Sequence, residues 1–141
     1  MDPIRLSLKI VIRCADLGRS RMFYEILLDL PVLEEWDERE GAGCIFGFGA
    51  DGGGGRLEVH EMYDTDPRFD EAFTRPVPSD KLDIQLATPS LEPWLARLAG
   101  KWDVEGPETM PWGETRITLR DPDGLMVVLV EEGEIQATKH G

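Results

Sequence analysis

The sequence predicts an α+β fold: two βαβββ modules forming a curved, mostly antiparallel eight-stranded sheet around a cleft, with the helices on its convex face. Three observations predict it. The order of elements repeats, with strand, helix and three strands on either side of a polar, proline-bearing stretch. Each helix follows a short strand and closes on a Pro or Gly stop. The length of 141 residues, 41% of them hydrophobic, suits one domain, or two small modules sharing a core. Units of this kind stack so that each buries what it cannot bury alone. The boundaries are module one 4–62, linker 63–80, module two 81–132 and tail 133–141.

The elements follow in order. Leu6 to Ala15 is rich in β-branched residues and reads as a strand. Asp16 caps a helix that places Leu17, Met22, Phe23, Ile26, Leu27 and Leu30 at helical spacing, and Pro31 ends it. Strands are expected at Val32 to Glu38, at Gly43 to Gly49, and, after the Asp51 to Gly55 glycine turn, at Arg56 to Met62. The linker holds one short helical turn around Phe69 to Phe73. Lys81 to Ala87 restarts the pattern. Ser90 caps the helix Leu91 to Gly100, with Pro93 tolerated in its first turn. A strand from Val104 and the turn Pro111-Trp112-Gly113 lead to a closing hairpin, Thr115 to Leu119 and Leu125 to Val130. Its turn, Asp121-Pro122-Asp123-Gly124, has a mechanism: Pro122 fixes φ, Asp121 bonds forward to the turn backbone, and Gly124 takes positive φ.

Composition excludes several function classes. A net charge of −13 opposes nucleic acid as a partner and favours solubility or a cationic small molecule. The longest apolar run is strand-length, and the N-terminus lacks the pattern of a signal peptide, so no membrane partner and a cytoplasmic location are expected. Cys14 and Cys44 form no CxxC pair and read as buried small hydrophobes.

Two segments carry a family resemblance. The first is LKIVIRCADLGRSRMFYEILLDLPV, with Asp16-Leu17 at the helix start, Phe23-Tyr24 within it and Leu28-Asp29-Leu30 at its end. The second is LRDPDGLMVVLVE. With the βαβββ repeat, these resemble the vicinal-oxygen-chelate superfamily (glyoxalase, bleomycin resistance protein, dioxygenase) over nearly the whole chain. The resemblance implies a homodimer and four metal positions facing the cleft. Carried over, these land on Lys9, on Glu58 with His60 on the same face, on Lys81, and on Val128 four residues after the turn glycine. Lysine is protonated and has no lone pair to offer, and valine cannot ligate. Fewer than the three protein ligands of a catalytic zinc site remain, so no bound metal and no cofactor are expected. Shifted by two residues, the third position lands on Asp83, which restores a set of Glu58, His60 and Asp83. A further expectation is that Lys9 and Lys81 pair with Glu58, so that their ammonium groups occupy the space of a cation.

Strand alternation sorts the candidate site by face. Lys9 and Arg13 share a face with each other, as do Glu58 and His60; Lys81, Asp83 and Gln85 line the cleft from module two, with Met126, Val128 and Val130 as an apolar wall. Glu58 and His60 are the candidate acid and base. Trp36, Phe46 and Phe48 are candidates for an aromatic platform, and Trp112 lies in a turn similar to that of bleomycin-resistance proteins. The expected function is metal-independent binding or sequestration of a cationic or aromatic small organic molecule. The competing expectation is a metal-dependent lyase, isomerase or dioxygenase using Glu58 and His60.

Overall fold

A computed structural model describes residues 6–49, 53–76 and 80–132. Residues 1–5, Asp51 and Gly52 of the glycine turn, part of the linker, and the tail with His140 lie outside the described residues. The chain divides into two units, Met1–Arg75 and Pro76–Gly141, and the boundary falls within the stretch read as a linker.

The first unit holds β1 (Lys9–Arg13), β2 (Val32–Asp37), β3 (Gly41–Gly47) and β4 (Arg56–Met62), in the sheet order β1-β4-β3-β2. β1 runs parallel to β4, and the other pairs are antiparallel. The second unit repeats this with β5 (Asp83–Thr88), β6 (Glu105–Thr109), β7 (Thr115–Arg120) and β8 (Met126–Glu131), in the order β5-β8-β7-β6. The α+β class and the eight strands match the expectation. Their hydrogen bonds divide them into two four-stranded mixed sheets.

In each unit one sheet face packs on the helix. In the first, Leu57, Val59, Cys44 and Phe46 are almost wholly buried, and the Phe46 ring lies 6.2 Å from Tyr24. In the second, Ile117, Leu119, Val127 and Leu98 are buried to a similar degree. Burying such side chains removes apolar area from water at about 25 cal/mol per Å², the main force holding each layer together.

The first helix differs from the expectation of one continuous α-helix. α1 (Leu17–Arg21) is capped by Asp16, whose carboxylate accepts from the Arg19 N–H at 3.1 Å, and then widens into a π-helical segment, Met22–Leu27. The wider turn keeps two adjacent aromatics, Phe23 and Tyr24, fully buried, with rings in edge contact at 4.8 Å. Asp29 then adopts φ 54°, and Pro31 follows the stop. α2 (Glu92–Leu98) also departs from the expected capping by Ser90. The Glu92 N–H reaches Ser90 Oγ only at 3.4 Å, whereas the Leu91 N–H donates to Glu131 Oε1 at 3.1 Å. The first unit uses the same device, with the Leu17 N–H donating to Glu61 Oε1 at 2.9 Å. A carboxylate on the last strand of each sheet thus ties down the start of the helix.

The closing turn forms as its residues dictate. Asp121 Oδ1 accepts from the Asp123 and Leu125 N–H groups, each at 2.9 Å, and Gly124 takes φ 90°.

Candidate functional site

Register shows which side chains share the face opposite the helix in the first sheet. Paired positions point the same way. Arg13 pairs with His60, His60 with Gly43, and Gly43 with Trp36, so these four form one row across all four strands. The neighbouring row is Val11, Glu58, Ile45 and Glu34. Lys9, one strand pleat further along, reaches back to Glu58.

The chemistry of this face centres on Glu58. Lys9 Nζ donates to Glu58 Oε1 at 3.0 Å, and His60 Nδ1 lies 3.1 Å from Glu58 Oε2. Both carboxylate oxygens therefore face a basic group, as the expectation of an ammonium beside Glu58 requires for Lys9. The Glu58 and His60 side chains are only 13% and 17% exposed, so this contact is screened less than a surface ion pair.

Trp36 stands over the same row, its ring centroid 6.3 Å from that of His60. Gly43 makes this approach possible. A Cβ there would lie 2.5 Å from His60 Cβ and 2.6 Å from Trp36 Cζ2. A glycine inside a strand signals close approach, but which groups approach is decided by pairing.

Arg13 is exposed and holds its guanidinium 5.3 Å from the centroid of the Phe73 ring. Phe73 belongs to a 3₁₀ turn, Glu71–Thr74, capped by Asp70, close to the short helical turn expected in the linker. Beside it lies an open hollow of about 470 Å³, lined among others by Cys14, Glu61, Tyr63, Asp64 and Phe69. Asp66 organises the preceding loop. It is 4% exposed, and hydrogen bonds from the Arg68 guanidinium, then from the Arg68 amide, hold its carboxyl down at about 2. Sequence reading passed over this pair, although Asp66-Pro67 is a turn-initiating dipeptide.

Several candidates sit elsewhere. Phe46 does not belong to this face: it is fully buried on the helix side, because its partner position is Leu57 and not Glu58. Phe48 follows β3, half-buried, with its N–H donating to the Gly55 carbonyl at 3.0 Å. Cys14 and Cys44 are buried and form no disulfide, and burial pushes the Cys44 thiol up to about 11, so it is protonated and unreactive at neutral pH.

In the second sheet, Asp83 pairs with Met126, two residues before Val128, just as Lys9 pairs with Arg56, two residues before Glu58. Asp83, rather than Lys81, is therefore the counterpart of Lys9. Lys81 is exposed and precedes β5. Val128 is the counterpart of Glu58; it is 1% exposed and pairs with Gln85 and Thr118. Gln85 Nε2 donates to Asp83 Oδ2 at 3.2 Å. Trp112 is half exposed, with the Arg116 guanidinium 5.9 Å from its ring centroid, and Arg116 also pairs with Glu114 at 2.6 Å. Glu114 and Arg116, two residues apart and mostly buried, escaped the sequence reading because alternating charges at a strand start resemble a solvated edge.

Of the positions carried over, Lys9 and Val128 offer a divalent ion no ligand, whereas Glu58, His60 and Asp83 keep ligating atoms. Lys9 carries an ammonium, Val128 has no donor atom, and the carboxylate of Glu58 already faces Lys9 and His60. Among the described residues, no three His, Cys, Asp or Glu side chains cluster as a metal set. No helix among them is long and apolar enough to cross a membrane.

Comparison with known proteins agrees with the fold. TnmS3, an antibiotic binding protein from Streptomyces sp. CB03234, has a TM-score of 0.66 at 20% identity, over 93% of this chain and 98% of its own. Glyoxalase I from Leishmania major has a TM-score of 0.69 at 22% identity, over 92% and 88% respectively. A point mutant of glyoxalase I from Zea mays has a TM-score of 0.74 at 19% identity, with 91% of this chain matching 46% of that one. No curated protein matches. At these identities the structural likeness speaks for the fold alone. A profile of the glyoxalase/bleomycin resistance protein/dioxygenase superfamily matches residues 7–129, and the chain belongs to that superfamily.

Proposed function

We propose that this chain binds a small aromatic organic molecule without a metal, on the face of its first sheet opposite the helix. The observation that carries this reading is the state of Glu58. Its two oxygens face Lys9 Nζ at 3.0 Å and His60 Nδ1 at 3.1 Å, so its charge is already met by protein groups. A lysine cannot give up this role to a divalent ion, because its ammonium would then repel the ion. The antibiotic-binding relative shares the fold and is in keeping with a sequestering role.

The test is elemental analysis of protein purified without chelator, with tryptophan quenching by planar aromatic probes, neutral 2-naphthamide among them. The expected result is less than stoichiometric divalent metal, and quenching that EDTA does not alter. A stoichiometric zinc, nickel, iron or manganese ion lost together with binding on chelation would sink the reading. One observation favours a second reading, an enzyme of the same superfamily: the His60–Glu58 contact is the geometry of a carboxylate orienting a general base. That reading predicts turnover that His60→Gln abolishes while probe binding persists.

A further inference from the structure

We infer that the ligand of this face is a planar aromatic acid, with its carboxylate held by Arg13 and its ring laid over Trp36. This rests on the reading of this face as a small-molecule site and adds the class of molecule it takes. The row Arg13, His60, Gly43, Trp36 carries the inference. It spans three strand spacings, about 14 Å, with a cation at one end and an indole at the other. Between them Gly43 contributes no side chain, and the space above it is taken by the Trp36 ring and the His60 side chain, which brings the indole over the middle of the row.

Arg13 is the point of charge recognition. Among the described residues its guanidinium meets the Phe73 ring and no carboxylate. A cation–π contact orients the guanidinium without neutralising it, and leaves its N–H fork for a carboxylate. Lys9, the other cation of the face, is engaged by Glu58. The same pairing removes Glu58 as a counter-charge for a cationic ligand, which Arg13 would then repel. The hollow beyond Phe73 is less suited to an acid, since Glu61 and Asp64 line it against the one cation of its lining, Arg39. The charge of Arg13 therefore directs the carboxylate to its end of the row, away from the exposed Glu34 of the neighbouring row, and Trp36, half-buried beside His60, supplies the flat apolar surface for the ring.

Calorimetric titration of the full chain with 2-naphthoate, neutral 2-naphthamide and 2-naphthylmethylammonium tests this. The acid is expected to bind about ten-fold or more tighter than the amide, as charge-assisted hydrogen bonds usually provide. Arg13→Gln should abolish that preference while amide affinity stays within about two-fold, which also shows that the variant is folded. Equal binding of acid and amide, tighter binding of the ammonium, a preference that survives Arg13→Gln, or no saturable binding of the acid would each overturn the inference. If the amide or ammonium still binds and the metal content is low, small-molecule binding stands and only the acid assignment falls.

Discussion

Gly43 shows how one missing side chain shapes the site. Its Cα lies under the contact between Trp36 and His60, and the nearest atoms to an added Cβ include the Val59 carbonyl oxygen at 2.9 Å. Backbone as well as side chains would have to move. Gly43→Ala should therefore destabilise the fold by about 1–3 kcal/mol, the usual cost of overpacking. It should also shift the tryptophan emission as Trp36 is displaced. Urea midpoints and emission spectra would check this, and an unchanged midpoint would refute it. Sequence alternation placed Lys9 beside Arg13 and Glu58 beside His60. It could not place Phe46, because every residue of β3 is buried and such a strand has no alternating pattern to read.

Elements, not single residues, hold this site in position. The loop after β4 carries Asp66, and through Phe69 and Phe73 it leads to Arg13. Asp66 is held at about 2 against an ordinary value of 3.8, so the folded state keeps it ionised where the unfolded chain protonates it. Its contribution to stability is complete above the unfolded value and is lost as pH falls from about 4 through about 2. Asp66→Asn should lower stability at pH 6 and flatten this part of the acid limb, seen in urea titrations at stepped pH. A variant with the wild-type slope between those values would refute the assignment. The helix caps belong to the same scale. Glu61 and Glu131, each on the final strand of its sheet, bind the amides of Leu17 and Leu91, and this long-range pairing has no local sequence signal.

At the scale of the molecule, charge dominates. Twenty-eight acidic residues against fifteen basic ones leave −13 on 141 residues. Glu34, Glu35, Asp37, Glu38 and Glu40 concentrate part of this along β2 and its turn, where all five are exposed. Self-repulsion of this kind opposes the compact state and is screened by salt within a Debye length of about 10 Å at 0.1 M. The melting temperature should therefore rise between low ionic strength and about 0.2 M sodium chloride. A flat or falling melting curve would show that local ion pairs outweigh the net charge. The same excess of acid makes an exposed arginine that faces no carboxylate among the described residues informative.

The sequence by itself determined the repeat, the α+β class, the closing turn and the absence of a ligating side chain at Val128. These are local matters: periodicity, turn chemistry and residue type are written within a few neighbouring positions. Only the tertiary structure decided that Asp83, and not Lys81, stands where Lys9 stands in the other sheet. A shift of two residues keeps every side chain on the same face, so alternation cannot distinguish the two registers. The pairing of β5 with β8 does. The row of Arg13, His60, Gly43 and Trp36 likewise exists only across strands, since its members lie far apart in the chain and meet through backbone hydrogen bonds.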